Sequence, residues 1–183
     1  MSEKMTGTGD RRVRKTRTAI VRAFSKLALS RPYKSIKVAD IVEAADVGRS
    51  TFYEHFSGRD AVHLAALKRH IGILAMTVDA EPDVETLTHM IGHYWEYRAL
   101  ARNTFSGPQR TQVVALLAER IDARLPADTG TRDLVARQLA EGQAGLIRAW
   151  VSGEVTGRAE EIARHFCAVA RATCNAVRLQ RAS

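Results

Sequence analysis

Apolar side chains recur at helical spacing through the first third of the chain, where short polar breaks divide the pattern into three helices. The first predicted helix starts at Arg11 and ends before Arg31-Pro32. Two shorter helices, 36–45 and 49–56, are separated by Asp46-Val47-Gly48, because Asp and Gly tolerate the left-handed backbone of a tight turn. A longer helix followed by two short ones is typical of a three-helix DNA-binding unit.

The helical pattern continues to the end of the chain. A fourth helix starts near Arg59 and is predicted to bury one face, and breaks containing Gly or Pro then separate four further helices, 84–105, 108–125, 132–152 and 158–179. The first ten residues have no apolar period. We therefore predict an all-α fold with a flexible tail over 1–10, a helix-turn-helix DNA-binding domain over 11–59, and a helical ligand-binding and dimerisation domain over 60–183.

The composition agrees with an all-α fold and bears on where in the cell the protein is expected. Of the 183 residues 45% are apolar and only four are prolines, which suits helices. No run of about 18 apolar residues is present, so no transmembrane helix and no membrane partner is expected. The polar N-terminal stretch has no apolar core of a signal peptide, and we expect a cytoplasmic protein.

The net charge of +8 is unevenly distributed along the chain. Residues 1–60 contain thirteen Lys or Arg against seven Asp or Glu, whereas the rest contains fifteen against thirteen. Such an asymmetry indicates a polyanionic partner, either nucleic acid or an acidic membrane surface, although a merely basic surface has the same composition.

The third helix carries the side chains that can contact bases. Phe52 and Phe56 are four residues apart and would pack on the first two helices. On the remaining faces, Arg49 can bind guanine, Ser50 or Thr51 can contact base edges, and Glu54 can accept a hydrogen bond from cytosine. Tyr53 and His55 suit phosphates.

The segment 36–59, IKVADIVEAADVGRSTFYEHFSGR, resembles the helix-turn-helix of TetR/AcrR-type transcriptional regulators. Residues on the family pattern are Ile41, Ala45, Val47, Phe52, Tyr53, His55 and Phe56. The resemblance implies an all-α dimer of about nine helices, a dimer interface built from the last two helices of each subunit, and a ligand pocket. It also implies that Tyr53, His55 and Arg59 contact phosphates.

Three residues depart from that family pattern. Asp46 replaces the usual turn glycine, Arg59 replaces the usual lysine, and Ala39 occupies a position where relatives can carry a base-contacting side chain. Asp still permits the turn, and Arg59 at a helix N-terminus can bind phosphate. With Ala39 one base contact is absent, so the operator sequence cannot be taken from relatives.

The basic residues outside the third helix are candidates for phosphate contact. Arg14, Lys15 and Lys37 complete the predicted DNA-binding set. Arg14, Lys15 and Arg17 could equally form an ordinary solvated helix face. Tyr53 could be a half-buried core residue, His55 could be a capping or surface residue, and Glu54 is more often solvated than in contact with a base.

Two sets of residues in the helical body are candidates for dimerisation and ligand binding. Apolar stripes on the last two helices predict a dimer interface, the alternative being intramolecular core, at Leu146, Trp150, Phe166, Val169, Thr173 and Val177. Amphipathic aromatics and histidines on the helix 84–105 predict a ligand pocket, although at least half of that stripe could be core, at His89, His93, Tyr94, Trp95, Tyr97, Arg98 and Phe105.

The sequence indicates neither catalysis nor a bound cofactor. It has no Gly-rich phosphate loop, no nucleophile elbow and no evident pair of pocket carboxylates. His89 and His93 have the spacing of two metal ligands, but without an evident third ligand we expect no metal site. Cys167 and Cys174 are too far apart along one helix to form a disulfide and are expected to be buried thiols, with a redox role left open.

Together these patterns predict a homodimeric, sequence-specific DNA-binding regulator, a repressor that a small-molecule effector releases from a palindromic double-stranded operator. One alternative is an adaptor that binds DNA with little sequence preference and recruits a protein. Another is a helical ligand carrier or an enzyme built on the body alone. The ligand, the operator and the regulated genes are not specified by the sequence.

Overall fold

The computed structural model describes the backbone of residues 6–129 and 131–181, and in these ranges it contains nine α-helices and no strand. This confirms the all-α fold. The chain divides into two compact units, Met1–Leu67 and Lys68–Ser183. The boundary lies eight residues beyond the end of the DNA-binding domain expected from sequence, within a helix rather than in a linker.

The N-terminal unit contains three complete helices and the start of a fourth. These are α1 (Thr6–Ser30), α2 (Val38–Ala45), α3 (Arg49–His55) and the first part of α4 (Arg59–Ala75), with a 3₁₀ turn at Tyr33–Ser35. α1 begins at Thr6 rather than Arg11, so half of the segment expected to be a tail is helical, while residues 1–5 lie outside the described part. The unit is held together by a compact set of buried side chains: Ile20, Phe24, Ile36, Ile41, Phe52, Phe56 and Val62.

The turn between α2 and α3 depends on Asp46. Its backbone has φ 51° and ψ 53°, a left-handed conformation that Asp adopts more readily than most residues. The Asp46 N–H donates to the Glu43 carbonyl at 3.1 Å, and the Val47 N–H donates to the Val42 carbonyl at 3.2 Å. These bonds close the end of α2, and the expectation that Asp permits the turn is confirmed.

The second unit contains the rest of α4, a 3₁₀ turn at Met76–Val78, and five further helices: α5 (Val84–Glu96), α6 (Arg98–Ser106), α7 (Arg110–Asp122), α8 (Arg132–Val151) and α9 (Ala159–Arg181). The prediction of one helix over 84–105 is wrong, because the chain breaks at Tyr97, where φ is −106° and ψ is 41°. The break allows α5 to pack against α9 while α6 packs against α8. Pro108 also lies before α7 rather than in its first turn.

One described stretch, Arg59–Val78, is long and apolar enough to cross a membrane when judged by length and composition alone. A run of this kind was not expected from sequence. Its apolar side chains Val62, Leu67, Ile71 and Leu74 are buried, although less than half of the stretch is.

Candidate nucleic-acid interface

The two faces of α3 differ sharply in exposure. Phe52 is fully buried and Phe56, just after the helix, is 4% exposed, whereas Tyr53 is 49% exposed. Half of Tyr53 is therefore open to solvent, and its ring also packs edge-on against Phe52 with the ring centres 5.3 Å apart. The core anchors α3 through one face, and its other face points away from the unit's own interior with these predicted residues exposed or half-buried: Arg49, Ser50, Thr51, Glu54 and His55.

Four predicted phosphate- or base-contacting cations lie outside the ion pairs of the described side chains. Arg14, Lys15, Lys37 and Arg49 are exposed, and among the side chains that the structure describes none of the four forms an ion pair. An unpaired exposed cation loses little on meeting a phosphate, because it has no intramolecular partner to give up. These side chains are therefore free to bind an anion.

Arg59 is placed differently from those four cations. Its Nη1 donates to the carbonyls of Tyr33, at 3.2 Å, and Ile36, at 3.0 Å, and its guanidinium lies 4.3 Å from the centre of the Tyr33 ring. Its Nε also pairs with Asp60 at 3.3 Å. Arg59 thus binds the backbone of its own unit, although sequence resemblance implied a phosphate contact.

Arg17 makes a structural contact that was not predicted from the sequence. This side chain donates from Nη1 to the carbonyl of His55 at 3.0 Å, and its guanidinium lies 4.2 Å from the centre of the Phe56 ring. The contact joins α1 to the end of α3. The residues are 38 positions apart, so helical periodicity carries no signal of it.

Asp40 stabilises the start of α2. Its carboxylate accepts from the Lys37 N–H at 2.6 Å and pairs with Arg31 at 3.0 Å. The backbone hydrogen bond, together with the nearby Arg31 charge, holds the pKa of Asp40 below its usual value. Arg31 is accordingly occupied within the unit, unlike Lys37, whose side chain is exposed.

In the second unit the predicted pocket residues do not form one cluster. Tyr94 and Phe105 are buried with their ring centres 5.3 Å apart, and Tyr97 stacks on His93. Trp95 is 44% exposed, packs on Trp150 with ring centres 5.0 Å apart, and lies 5.5 Å from the Arg98 guanidinium carbon.

Of that set, His89 and His93 line an open cavity of about 950 Å³ between α4, α5 and α9. Its other lining residues, which sequence did not single out, are Arg69, His70, Ile73, Val84, Glu85, Thr86, Thr88, Met90, Glu160 and Arg164. Burial, with the neighbouring His93 and Arg69 charges, lowers the pKa of His70 to about 4. Burial also lowers the pKa of His93, so both imidazoles are neutral at pH 7.

The predicted dimer residues fall into two groups. Trp150 and Phe166 are buried within the chain, and the Trp150 indole donates to the Gly157 carbonyl at 2.9 Å. Val169 is 42% exposed, and Leu146, Thr173 and Val177 are half-buried. A groove of about 310 Å³ between α8 and α9 is lined by members of both groups together with neighbouring residues: Gln138, Leu139, Gly142, Gln143, Leu146, His165, Phe166, Val169 and Thr173.

The described residues contain no group of three or more His, Cys, Asp or Glu side chains arranged to hold a metal ion. Cys167 and Cys174 are both buried free thiols, as expected. Burial raises the pKa of each thiol, which keeps both protonated at neutral pH and lowers their reactivity.

Part of the chain is similar to a known family of regulatory proteins. Residues 20–66 match the family model for bacterial regulatory proteins of the tetR family. The chain is also 34% identical over 61 residues to the uncharacterized HTH-type transcriptional regulator YxbF of Bacillus subtilis (strain 168). That match covers 33% of this chain and 16% of the length of YxbF.

Solved structures share the fold over most of the chain. A TetR transcriptional regulator from Rhodococcus sp. RHA1 superposes with a TM-score of 0.61 at 18% identity, covering 87% of this chain and 96% of its own. Another, from Streptococcus agalactiae 2603V, gives a TM-score of 0.55 at 21% identity, covering 89% and 97%. At this identity the likeness establishes the fold.

Proposed function

We propose that the chain is a transcriptional regulator of the tetR family, whose model matches residues 20–66, and that it binds double-stranded DNA through α3. The observation that carries this proposal is the division of α3 into a buried aromatic face and an exposed polar face. A helix anchored in this way can enter the major groove without disturbing the core of its unit. We assign the chain no catalytic activity and place it in the cytoplasm, where its DNA is found.

The side chains of α3 then divide the work of recognition. Arg49, Ser50 and Thr51 lie in its first turn and contact base edges, with the Arg49 guanidinium suited to guanine. Tyr53 and His55 contact the phosphate backbone, and exposed cations outside α3, including Lys37 and Arg14, add sequence-independent affinity.

We further propose that the protein acts as a homodimer assembled through α8 and α9. The groove between these helices has an apolar part formed by Leu139, Leu146, Phe166 and Val169, and Val169 is 42% exposed within a single chain. A second copy would cover this surface under twofold symmetry. Two α3 helices related by that symmetry require an operator with dyad symmetry.

The dimer proposal is tested by Val169→Glu. Placing a carboxylate in the interface should convert the dimer to monomer in analytical ultracentrifugation, because a buried unpaired charge is strongly unfavourable. Val155→Glu is the matched control, since Val155 is also exposed, at 37%, but lies in the loop before α9. Wild-type protein sedimenting as a monomer would contradict the proposal.

A regulator of this kind also needs a signal that changes its affinity for DNA. We propose that a small molecule bound in the cavity between α4, α5 and α9 shifts the protein between two states that differ in DNA affinity, and that DNA release relieves repression. The cavity supports this because its walls combine apolar side chains with imidazoles, hydroxyls and four charged groups, Arg69, Glu85, Glu160 and Arg164.

The experiment that tests DNA recognition is selection of bound sequences from random duplex DNA with the purified protein. We expect a palindromic sequence to be enriched. The Arg49→Ala, Tyr53→Ala double variant should lose this preference, whereas Leu134→Ala, Arg137→Ala, which removes two exposed side chains from α8, should retain it. Binding without enrichment would favour the adaptor, and no binding at all would favour a ligand carrier.

A further inference from the structure

Two arginines of the N-terminal unit bind main-chain carbonyls at the junctions between its helices. We propose that Arg17 and Arg59 are positioning residues, which fix the recognition helix α3 and the start of α4 to the rest of the unit and do not act as phosphate contacts. The inference rests on the proposed DNA-binding function, because it states which cations orient the interface and which ones contact DNA.

Arg17 secures the C-terminal end of α3. The last carbonyls of an α-helix have no partner within the helix, and the Arg17 guanidinium supplies one to the carbonyl of His55 at 3.0 Å. The same group stacks on Phe56, whose ring is anchored in the core. A cation at this end of α3 also opposes the negative end of the helix dipole.

Arg59 secures the junction between α4 and the segment that leads into α2. Its Nη1 bridges the carbonyls of Tyr33 and Ile36, one in the 3₁₀ turn and one just after it. The stack on Tyr33 fixes the plane of the guanidinium, and Asp60 binds both Arg59 and the Tyr33 hydroxyl. α4 therefore starts in a fixed relation to the helix-turn-helix.

Both arginines depend on the planar shape of the guanidinium as well as on its charge. Each guanidinium donates to a carbonyl in one direction and stacks on a ring with its face. A lysine ammonium carries the same charge but cannot hold this combination of contacts. Charge-preserving substitution consequently separates a positioning role from a phosphate contact.

The need for such positioning follows from the length of α3. A helix of seven residues is not stable by itself and takes its orientation from packing. Phe52 anchors the middle of α3, so Arg17 at one end and the turn at Asp46 before the other fix its direction. Small changes in that direction would move Arg49 and Tyr53 away from their contacts on DNA.

The first arm of the test measures DNA affinity against salt for Arg17→Lys and Arg59→Lys, with the duplex enriched in the selection above as probe. We expect each variant to bind about ten-fold more weakly, with an unchanged slope of log affinity against log salt, because its charge is kept while the geometry is lost. Arg102→Lys, a control at an exposed arginine of α6 that belongs to none of the proposed DNA contacts, should bind as the wild type does.

The second arm uses the full chain without DNA. Backbone amides in the last turn of α3 should exchange hydrogen about ten-fold faster in Arg17→Lys, and those of residues 34–38 about ten-fold faster in Arg59→Lys, with no change in Arg102→Lys. If these amides exchange faster in the lysine variants but the protein binds no DNA, the positioning roles of Arg17 and Arg59 are supported. Only the proposed function is then overturned.

Two results would overturn the positioning role. One is wild-type affinity in both lysine variants, combined with glutamine variants whose salt slope falls by about 0.9 each, which is the behaviour of phosphate contacts. The other is wild-type amide exchange in both lysine variants, which would mean that neither arginine orders its junction.

Discussion

The two units of the chain differ in how many of their arginines form ion pairs. Among the described side chains of the second unit, eight arginines form ion pairs with Asp or Glu, including Arg110 with Glu141 at 2.6 Å and Arg124 with Asp79 at 2.7 Å. In the N-terminal unit only Arg31 and Arg59 are paired among the side chains that the structure describes. Both units are rich in arginine, so the difference lies in the placement of carboxylates.

This difference shows how the chain concentrates a positive field in one part. Exposed ion pairs contribute only about 0–1 kcal/mol each to stability, so their chief effect in the second unit is to cancel local charge. The unpaired cations of the N-terminal unit leave an uncompensated field that attracts a polyanion. Net charge alone, +8 for the chain, does not reveal where that field is available.

The largest expected effect separates the two faces of α3. Phe52→Ala should lower the free energy of unfolding by about 3–5 kcal/mol, because the side chain is fully buried and its loss leaves a cavity. Tyr53→Ala, the adjacent substitution, should change stability by less than about 0.5 kcal/mol and yet weaken DNA binding. Urea denaturation and a DNA titration measure the two quantities. Equal destabilisation by both variants would contradict the assignment of faces.

The second-largest expected effect tests whether the unpaired cations of the N-terminal unit contribute more to DNA binding than an ion-paired arginine of the second unit. Lys15→Gln and Lys37→Gln should each reduce the slope of log affinity against log salt by about 0.9, because each removes a cation that is free to bind phosphate. Arg137→Gln, which removes an arginine paired with Glu141 in α8, should leave the slope unchanged. Fluorescence anisotropy across a salt series supplies the data. A similar drop in slope for all three variants would remove the distinction between the units.

A smaller effect is confined to the second unit. Trp150→Phe removes the hydrogen bond from the indole to the Gly157 carbonyl and should cost about 1 kcal/mol of unfolding free energy. Trp95→Phe is the control, because Trp95 is half exposed and its stacking can be kept by phenylalanine. Thermal unfolding followed by circular dichroism measures both. Greater destabilisation by Trp95→Phe would contradict the structural role of Trp150.

The smallest expected effect is a pH dependence of the N-terminal unit. The pKa of Asp40 is lowered in the folded state by the Lys37 N–H and by Arg31, so its contribution is complete above the unfolded pKa of about 3.9 and is lost as pH falls through the folded value. Asp40→Asn should therefore lower the melting temperature at pH 6 and have a smaller effect near pH 3. An equal loss at both pH values would exclude this role of the carboxylate.

Much of the N-terminal unit could be predicted because its constraints are local. The turn needs a residue such as Asp46 that tolerates positive φ, and the four-residue spacing of Phe52 and Phe56 places both in the core. The resemblance to the family rests on these same residues. The contacts of Arg17 and Arg59 could not be predicted, since their carbonyl partners are distant in sequence and identified only by the folded geometry.

The second unit was less predictable because periodicity indicates a buried face without saying what covers it. Tyr94 and Trp95 are adjacent and equally amphipathic, yet Tyr94 is buried and Trp95 is 44% exposed. The break at Tyr97 lacks any Pro or Gly signal, and it comes from tertiary packing rather than from local preference. His70 was overlooked in sequence because the residues that enclose it lie on another helix.

The most direct test of DNA recognition by α3 is amide hydrogen exchange of the full chain with and without the selected duplex. We expect binding to slow exchange most strongly in α2, α3 and the turn between them, residues 38–55, because these elements carry the exposed polar face and its supports. Slower exchange confined to residues 132–181, with α3 unchanged, would contradict the account and place DNA binding on the second unit.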